Sequence, residues 1–377
     1  MKIAIPAETD PGEPRVAASP DTVKRMVGMG AEVAVEKGAG EAAGILDKDF
    51  ESAGAKIANA KDTVGGADIV LKVRRPSKAE LPGYKPGAIV VAIMDPFGHE
   101  AALAEMAGAK VSAFAMELMP RITRAQVMDV LSSQANLAGY RAVIDAAAEY
   151  GRALPMMMTA AGTVPAARAF VMGAGVAGLQ AIATARRLGA MVTATDVRPA
   201  AKEQVESLGA KFVAVEDEEF KQAETAGGYA KEMSKDYQAK QAALVAAHIA
   251  KQDMVITTAL IPGRPAPKLV SKAMVESMKP GSVIVDLAVE RGGNCELAEP
   301  DKVVVLHGVK IVGFLNVPGR LAATSSALYA KNLLNFLDIL IKDKKLNVPW
   351  DDEIVKATLL TRDGAVVHPS FKPKGAA

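Results

Sequence analysis

The sequence predicts an α/β fold made of two Rossmann-like, doubly wound parallel-sheet domains, and three observations carry that prediction. Short β-rich runs alternate with helix-length segments along the chain, the alternation occurs twice in series, and the second series opens on a glycine-rich turn between a strand and a helix. At 377 residues the chain is too long for one ordinary core, and 50% hydrophobic residues are enough to bury two large sheets.

In the first series the β-rich runs fall at residues 2–7, 32–36, 69–73, 89–94 and 111–116, and no GxGxxG interrupts them. A long helical pattern with few breakers follows over 124–150. The second series supplies strands at 169–172, 191–195, 212–215, 254–257, 283–286 and 303–306, followed by 311–314. A matching helical pattern from 321 to about 342 then returns the chain to the first domain. Its run from Leu333 to Leu340 carries Asn335 and Asp338 and is too short to span a bilayer, so it reads as a buried interdomain or dimer helix. The expected division is residues 1–125 plus 320–377 for the first domain and 126–319 for the second, with the active site in the cleft between them.

The most informative run is Arg168-Ala169-Phe170-Val171-Met172-Gly173-Ala174-Gly175-Val176-Ala177-Gly178-Leu179. Residues suited to a buried strand lead into Gly173-x-Gly175-x-x-Gly178, and an alanine-rich helix continues to Arg187 and stops at Gly189. The first glycine permits the tight turn, the second lets a pyrophosphate approach the backbone, and the third lets helix pack on strand, so the phosphates meet the positive end of the helix dipole. The next strand delivers Asp196-Val197-Arg198 about 20 residues downstream, where a carboxylate can accept hydrogen bonds from an adenosine ribose and would repel a 2′-phosphate. The cofactor is therefore NAD(H), with Gly173, Ala174, Gly175, Val176, Gly178, Asp196, Val197 and Arg198 as its binding residues.

Residues 216–241 are longer than a connection after a third strand normally is, with Glu216-Asp217-Glu218-Glu219 at the head and Ala226-Gly227-Gly228-Tyr229 in the middle. Two readings stand side by side. One is a helical excursion or solvated insertion; the other is a lid whose glycines swing Tyr229 over a bound cofactor.

Composition narrows the function. A net charge of +2, with basic residues spread among the acids, gives no nucleic-acid surface. A single cysteine, Cys295, allows no internal disulfide and no cysteine-rich metal cluster, and no metal site is expected. The amino terminus turns polar at once and no run of about 20 uncharged apolar residues exists, which points to a cytoplasmic chain with any membrane link made through a partner.

Essentially the entire chain resembles the NAD(H)-binding component of proton-translocating nicotinamide nucleotide transhydrogenase and, more distantly, alanine dehydrogenase. The resemblance rests on Gly12-Glu13-x-Arg15-Val16-Ala17, Leu71-Lys72-Val73, the glycine fingerprint with Thr195-Asp196-x-Arg198, Asn316-x-Pro318-Gly319, and the run Arg121-Ile122-Thr123-Arg124-Ala125-Gln126-Val127-Met128-Asp129-Val130-Leu131-Ser132. It implies that Arg121, Gln126, Asp129 and Ser132 reach the nicotinamide and its ribose, and that the segment with Tyr229 is a mobile loop. It also implies a homodimer on the cytoplasmic face of a membrane-spanning proton-channel component, with NADP(H) bound by a partner subunit. Independently, Gln126, Asp129 and Ser132 are spaced by three, so on a helix they share one face, with Arg121 placed to bend back over it. A capped, solvated helix start is the other reading those residues allow.

The two relatives differ in proton chemistry. An amino-acid dehydrogenase moves a proton with its hydride and needs a positioned acid or base. Alanine dehydrogenase has a histidine after its fourth strand; here that place holds Met94-Asp95-Pro96, and His99 falls several residues late. His248, His307 and His368 lie in no catalytic pattern. Arg15 and Lys72 match substrate-binding positions of alanine dehydrogenase, with ordinary salt bridges as their other reading. Hydride transfer between two nicotinamides needs no proton donor, which favours the transhydrogenase component over a soluble NAD-dependent amino-acid dehydrogenase.

Overall fold

The computed structural model describes residues 1–222, 233–261 and 263–372. Its strands are short aliphatic runs covered on both faces, so they appear in sequence as continuous apolar stretches without polar alternation. The chain divides into two compact units, Met1–Gln134 with Pro318–Ala377 and Ala135–Val317.

In the first unit β1 (Lys2–Ile5), β2 (Glu32–Glu36), β3 (Lys56–Ala58), β4 (Ile69–Arg74), β5 (Ile89–Ile93) and β6 (Ser112–Ala115) run parallel in the order β3-β2-β1-β4-β5-β6. The strand order reverses between β1 and β4. β1 stops at Ile5, short of the expected residue 7, because Pro6 has no amide to give to the ladder. β3 was not foreseen, being three half-exposed residues at the sheet edge.

The second unit begins with an exposed hairpin, β7 (Met157–Thr159) and β8 (Gly162–Val164). Its sheet contains β9 (Arg168–Met172), β10 (Met191–Thr195), β11 (Lys211–Phe212), β12 (Met254–Thr257), β13 (Val283–Asp286), β14 (Val303–Leu306) and β15 (Val309–Val312), in the order β11-β10-β9-β12-β13-β15-β14. All neighbours are parallel except β14 and β15. That pair corrects the expected strand at 311–314: His307 and Gly308 take positive φ of 52° and 77°, closing a two-residue hairpin that starts β15 at Val309. β11 likewise ends at Phe212, three residues before the expected 215.

The returning chain adds a small hairpin, β16 (Ile341–Lys342) with β17 (Lys345–Leu346), then β18 (Leu359–Arg362) and β19 (Ala365–Val366), which extend the first sheet antiparallel beyond β6. The return helix spans Ala322–Leu340. Tyr329, Leu333, Phe336, Leu337 and Leu340 are fully buried in the core of the first unit, with the Phe336 ring edge-on to Phe114 at 5.4 Å. The helix is thus a core element of the first unit, where an interdomain or dimer helix was expected. Among the described residues no helix is long and apolar enough to cross a membrane.

The helix expected over 124–150 is broken. Residues Thr123–Met128 form a 3-10 helix, Asp129 is extended (φ −73°, ψ 95°), and the α-helix proper spans Val130–Glu149. Asp129 makes the break stable by accepting from the Ser132 amide at 2.9 Å and the Ser132 hydroxyl at 2.5 Å, an N-terminal cap. The second half of the segment 216–241 also differs from expectation. Lys235–Ile249 is a helix capped by Ser234, whose hydroxyl accepts from the Tyr237 amide at 3.1 Å. Gly227, Gly228 and Tyr229, and with them the lid reading, lie outside the described residues.

Candidate dinucleotide site

β9 is buried from Ala169 to Met172 and delivers the glycine turn at the carboxyl edge of its sheet, beside the point where strand order reverses between β9 and β12. Gly173 has φ +105°, a conformation that favours glycine, and its amide donates to the Thr195 carbonyl at 2.8 Å. A Cβ on Gly178 would overlap the Gly173 carbonyl, so only a glycine lets the helix Val176–Arg187 start this close to the strand. Gly175 differs from both: its backbone is extended and a Cβ would meet nothing within 4 Å. No side chain caps this 12-residue helix, so its first amides point into open space, the arrangement that receives an anionic group.

Asp196, at the end of β10, is 6% exposed at its side chain. It accepts from the Ala174 amide at 2.7 Å, the Arg198 amide and Nε at 2.9 Å each, and Arg198 Nη2 at 3.0 Å. The carboxylate therefore ties the glycine turn to the neighbouring strand end. Val197, at 52% exposure, is one of several large apolar side chains left uncovered on these edge loops, with Leu260 and Ile261 after β12. Val176 is exposed at the first position of the helix.

Sequence reasoning missed how the β12 loop is held. The Thr258 hydroxyl donates to the Gly173 carbonyl at 3.1 Å. Fully buried Asn294 accepts from the Ala259 amide at 3.0 Å and donates to the Ala259 and Pro267 carbonyls at 2.8 Å each. The run Thr257-Thr258-Ala259 at a strand end was a visible signal for the first; nothing local marks Asn294.

In the first unit Arg121 and Gln126 are exposed, while Asp129 is half-buried against Ser132. The expected single helix face does not exist, because Gln126 lies on the 3-10 helix and Ser132 on the α-helix, with the extended Asp129 between them. The structure brings Asp129 and Ser132 together and leaves Gln126 on the preceding turn.

Arg15 and Lys72 are salt-bridge formers. Arg15, 3% exposed, donates to Glu13 at 2.6 and 2.5 Å and to Gln134 Oε1 at 2.7 Å. Lys72, 1% exposed, contacts Glu80 at 2.6 Å and Glu8 at 3.5 Å. Burial alone would raise the Glu13 carboxyl, but the Arg15 and Arg74 guanidiniums outweigh it and hold it below the ordinary range. Lys72 does the same for Glu80. At Glu8 burial wins over Lys72 and two backbone amides, and its carboxyl is pushed up.

The histidines are accounted for by local contacts. The His99 Nδ1 lies 2.8 Å from the Asp95 carbonyl, His248 bonds Thr193 at 2.8 Å, His307 lies 3.4 Å from Glu276, and His368 packs on Phe371. Among the described residues no group of acids, histidines or cysteines is placed to hold a metal ion.

Two family models match the chain: "Alanine dehydrogenase/PNT, N-terminal domain" over residues 4–138 and "Alanine dehydrogenase/PNT, C-terminal domain" over 142–369. The chain is 59% identical to an NAD(P) transhydrogenase subunit alpha chain of Rhodospirillum rubrum, with all of both chains covered. Its fold matches a transhydrogenase crystal structure from Sinorhizobium meliloti at a TM-score of 0.91 and 64% identity, covering 97% of this chain and 100% of that one. It matches an L-alanine dehydrogenase at 0.83 and 26% identity, covering 98% of each. The chain belongs to the alanine dehydrogenase/PNT family, whose named members are oxidoreductases.

Proposed function

We propose that this chain is the NAD(H)-binding component of a proton-translocating transhydrogenase, passing hydride directly between NADH and NADP⁺ held by a separate NADP(H)-binding polypeptide. The observation that carries the reading is the glycine turn: a helix start with uncapped amides, open space at Gly175, and a strand-end carboxylate at Asp196 beside it. These residues fit a dinucleotide. In this reading the first amides of the helix receive the pyrophosphate and Gly175 keeps side-chain atoms out of its way. Four donors already fill the acceptor positions of Asp196, so a ribose hydroxyl reaches it by replacing the Arg198 guanidinium. Val197, Leu260 and Ile261 offer apolar surface for the adenine.

The reduced nicotinamide supplies the hydride from its C4. Arg121, Gln126, Asp129 and Ser132 orient that ring against the second one, and positioning of this kind contributes about 7–11 kcal/mol to a reaction between two bound partners. No residue has to deliver a proton, which agrees with four histidines held by local contacts. The same role calls for partners: a second copy of this chain in a homodimer, the NADP(H)-binding component, and a membrane-spanning proton-channel component that keeps the chain peripheral on the cytoplasmic face. Tyr229 belongs to the proposal as a residue that covers the cofactor.

An amino-acid dehydrogenase reading is opposed by Glu13 and Glu80, which engage the Arg15 and Lys72 cations that such a substrate's carboxylate would need. Purified chain mixed with NADH and an NADP⁺ analogue should transfer no hydride alone and should do so once the NADP(H)-binding component is added. Oxidation of NADH by adding only pyruvate or, in reverse, reduction of NAD⁺ by alanine would contradict the proposal.

A further inference from the structure

The 3-10 helix Thr123–Met128, which presents Gln126, is tethered three ways within the first unit. Ala125 and Met128 are buried in its core, and Arg124 makes two bonds to Asp352 at 2.8 and 3.2 Å. The third tether is a single backbone carbonyl. Val127 oxygen accepts from Asn332 Nδ2 at 2.8 Å and from Asn335 Nδ2 at 3.1 Å, two amides spaced by three on the return helix Ala322–Leu340 and hence on one face. Asn332 is 7% exposed, and its Oδ1 accepts from the Ser133 hydroxyl at 2.7 Å. One buried side chain thus joins the 3-10 helix to the first turn of Val130–Glu149, bridging the break at Asp129.

Burying Val127 cannot be the purpose, since its side chain is 57% exposed. Asparagine is also an unfavourable choice in a helix interior, where its amide competes with the backbone. Two of them converge on one carbonyl of a surface segment, and a satisfied buried amide network fixes one geometry. We infer that Asn332, with Asn335 beside it, is a positioning residue for hydride transfer: it sets the angle across the Asp129 break and so holds Gln126 and Asp129 where they orient the nicotinamide. The inference rests on the reading of Gln126 and Asp129 given above.

Three variants, Asn332→Ala, Asn335→Ala and Gln126→Asn, test it in the complete chain with the NADP(H)-binding component. The measurements are NADH affinity, single-turnover transfer to an NADP⁺ analogue, and deuterium uptake of the peptide covering 121–131. Asn332→Ala should slow transfer about tenfold, the scale of a small misplacement, while NADH affinity stays within about threefold. Uptake across 121–131 should rise. Asn335→Ala should slow transfer about threefold, as one neutral hydrogen bond allows, and it decides the matter if Asn332→Ala does not fold. Transfer at the normal rate in the asparagine variants while Gln126→Asn is slow overturns the inference alone, as does unchanged uptake or an NADH affinity that falls as far as the rate. A normal rate for Gln126→Asn overturns the underlying reading of the loop instead.

Discussion

Replacing Gly175 by alanine separates the nucleotide site from the scaffold that carries it. The backbone there has φ −76° and ψ −167°, which any residue adopts, and the new methyl group would meet no protein atom within 4 Å. Folding should therefore be unharmed, and the lost freedom of glycine in the unfolded chain should contribute about 0.4–1 kcal/mol in favour of the native state. Nucleotide binding should suffer. If the pyrophosphate lies against the first amides of the helix, the methyl group occupies its approach, and losing one hydrogen bond to a charged group costs about 1.5–3 kcal/mol. That corresponds to NADH binding weakened roughly tenfold to a hundredfold. Calorimetric titration with NADH, beside a thermal melt, reads both quantities. Gly178→Ala is the contrast: its Cβ would overlap the Gly173 carbonyl and push the helix off the strand, an overpacking cost of about 1–3 kcal/mol, so the melt should fall first. An unchanged NADH affinity in a stable Gly175→Ala would refute the phosphate assignment, and a lowered melting temperature would refute the open geometry at that position.

Further outcomes follow from the charged groups. Asp196→Asn removes the carboxylate that engages Arg198, freeing the guanidinium for a 2′-phosphate; the preference for NADH over NADPH should fall at least about tenfold by titration, and an unchanged ratio would move the discrimination elsewhere. Glu13→Gln leaves the buried Arg15 guanidinium without its charge partner and should cost about 3–5 kcal/mol in denaturant unfolding. Because the carboxyls of Glu13 and Glu80 sit below the ordinary glutamate range when folded, their contribution is present above the unfolded value and lost as pH falls through the folded one. Glu8, pushed up by burial, works against this: its contribution is present at low pH and lost as pH rises through its folded value. Chemical denaturation below the ordinary glutamate pKa should show an acid limb that flattens in Glu13→Gln, and an equally steep limb would place the acid sensitivity elsewhere.

Both sheets were legible in the sequence because their strands are buried on both faces, leaving aliphatic runs such as residues 169–172 and 283–286 that only a covered parallel strand explains. The glycine turn was legible because each glycine meets a local steric demand. What the sequence concealed is set by single polar residues or by distant contacts. The hairpin at His307 and Gly308 moved a strand by two residues, and the capping by Asp129 split a helix that hydrophobic pattern alone would continue. The clamp on Val127 comes from an asparagine 205 residues away, a separation no local pattern reports. β18 and β19 escaped notice because their pairing partner, β6, lies across the whole second unit in sequence. Residues 223–232, with Tyr229, lie outside the described residues.

The central claim is direct transfer of hydride from one nicotinamide to the other. NADH carrying deuterium at its transferred C4 position, mixed in ordinary water with this chain, the NADP(H)-binding component and an NADP⁺ analogue, tests it by mass spectrometry of the reduced analogue. The account predicts that the label appears there in full, with no hydrogen drawn from solvent; label lost to water would contradict it.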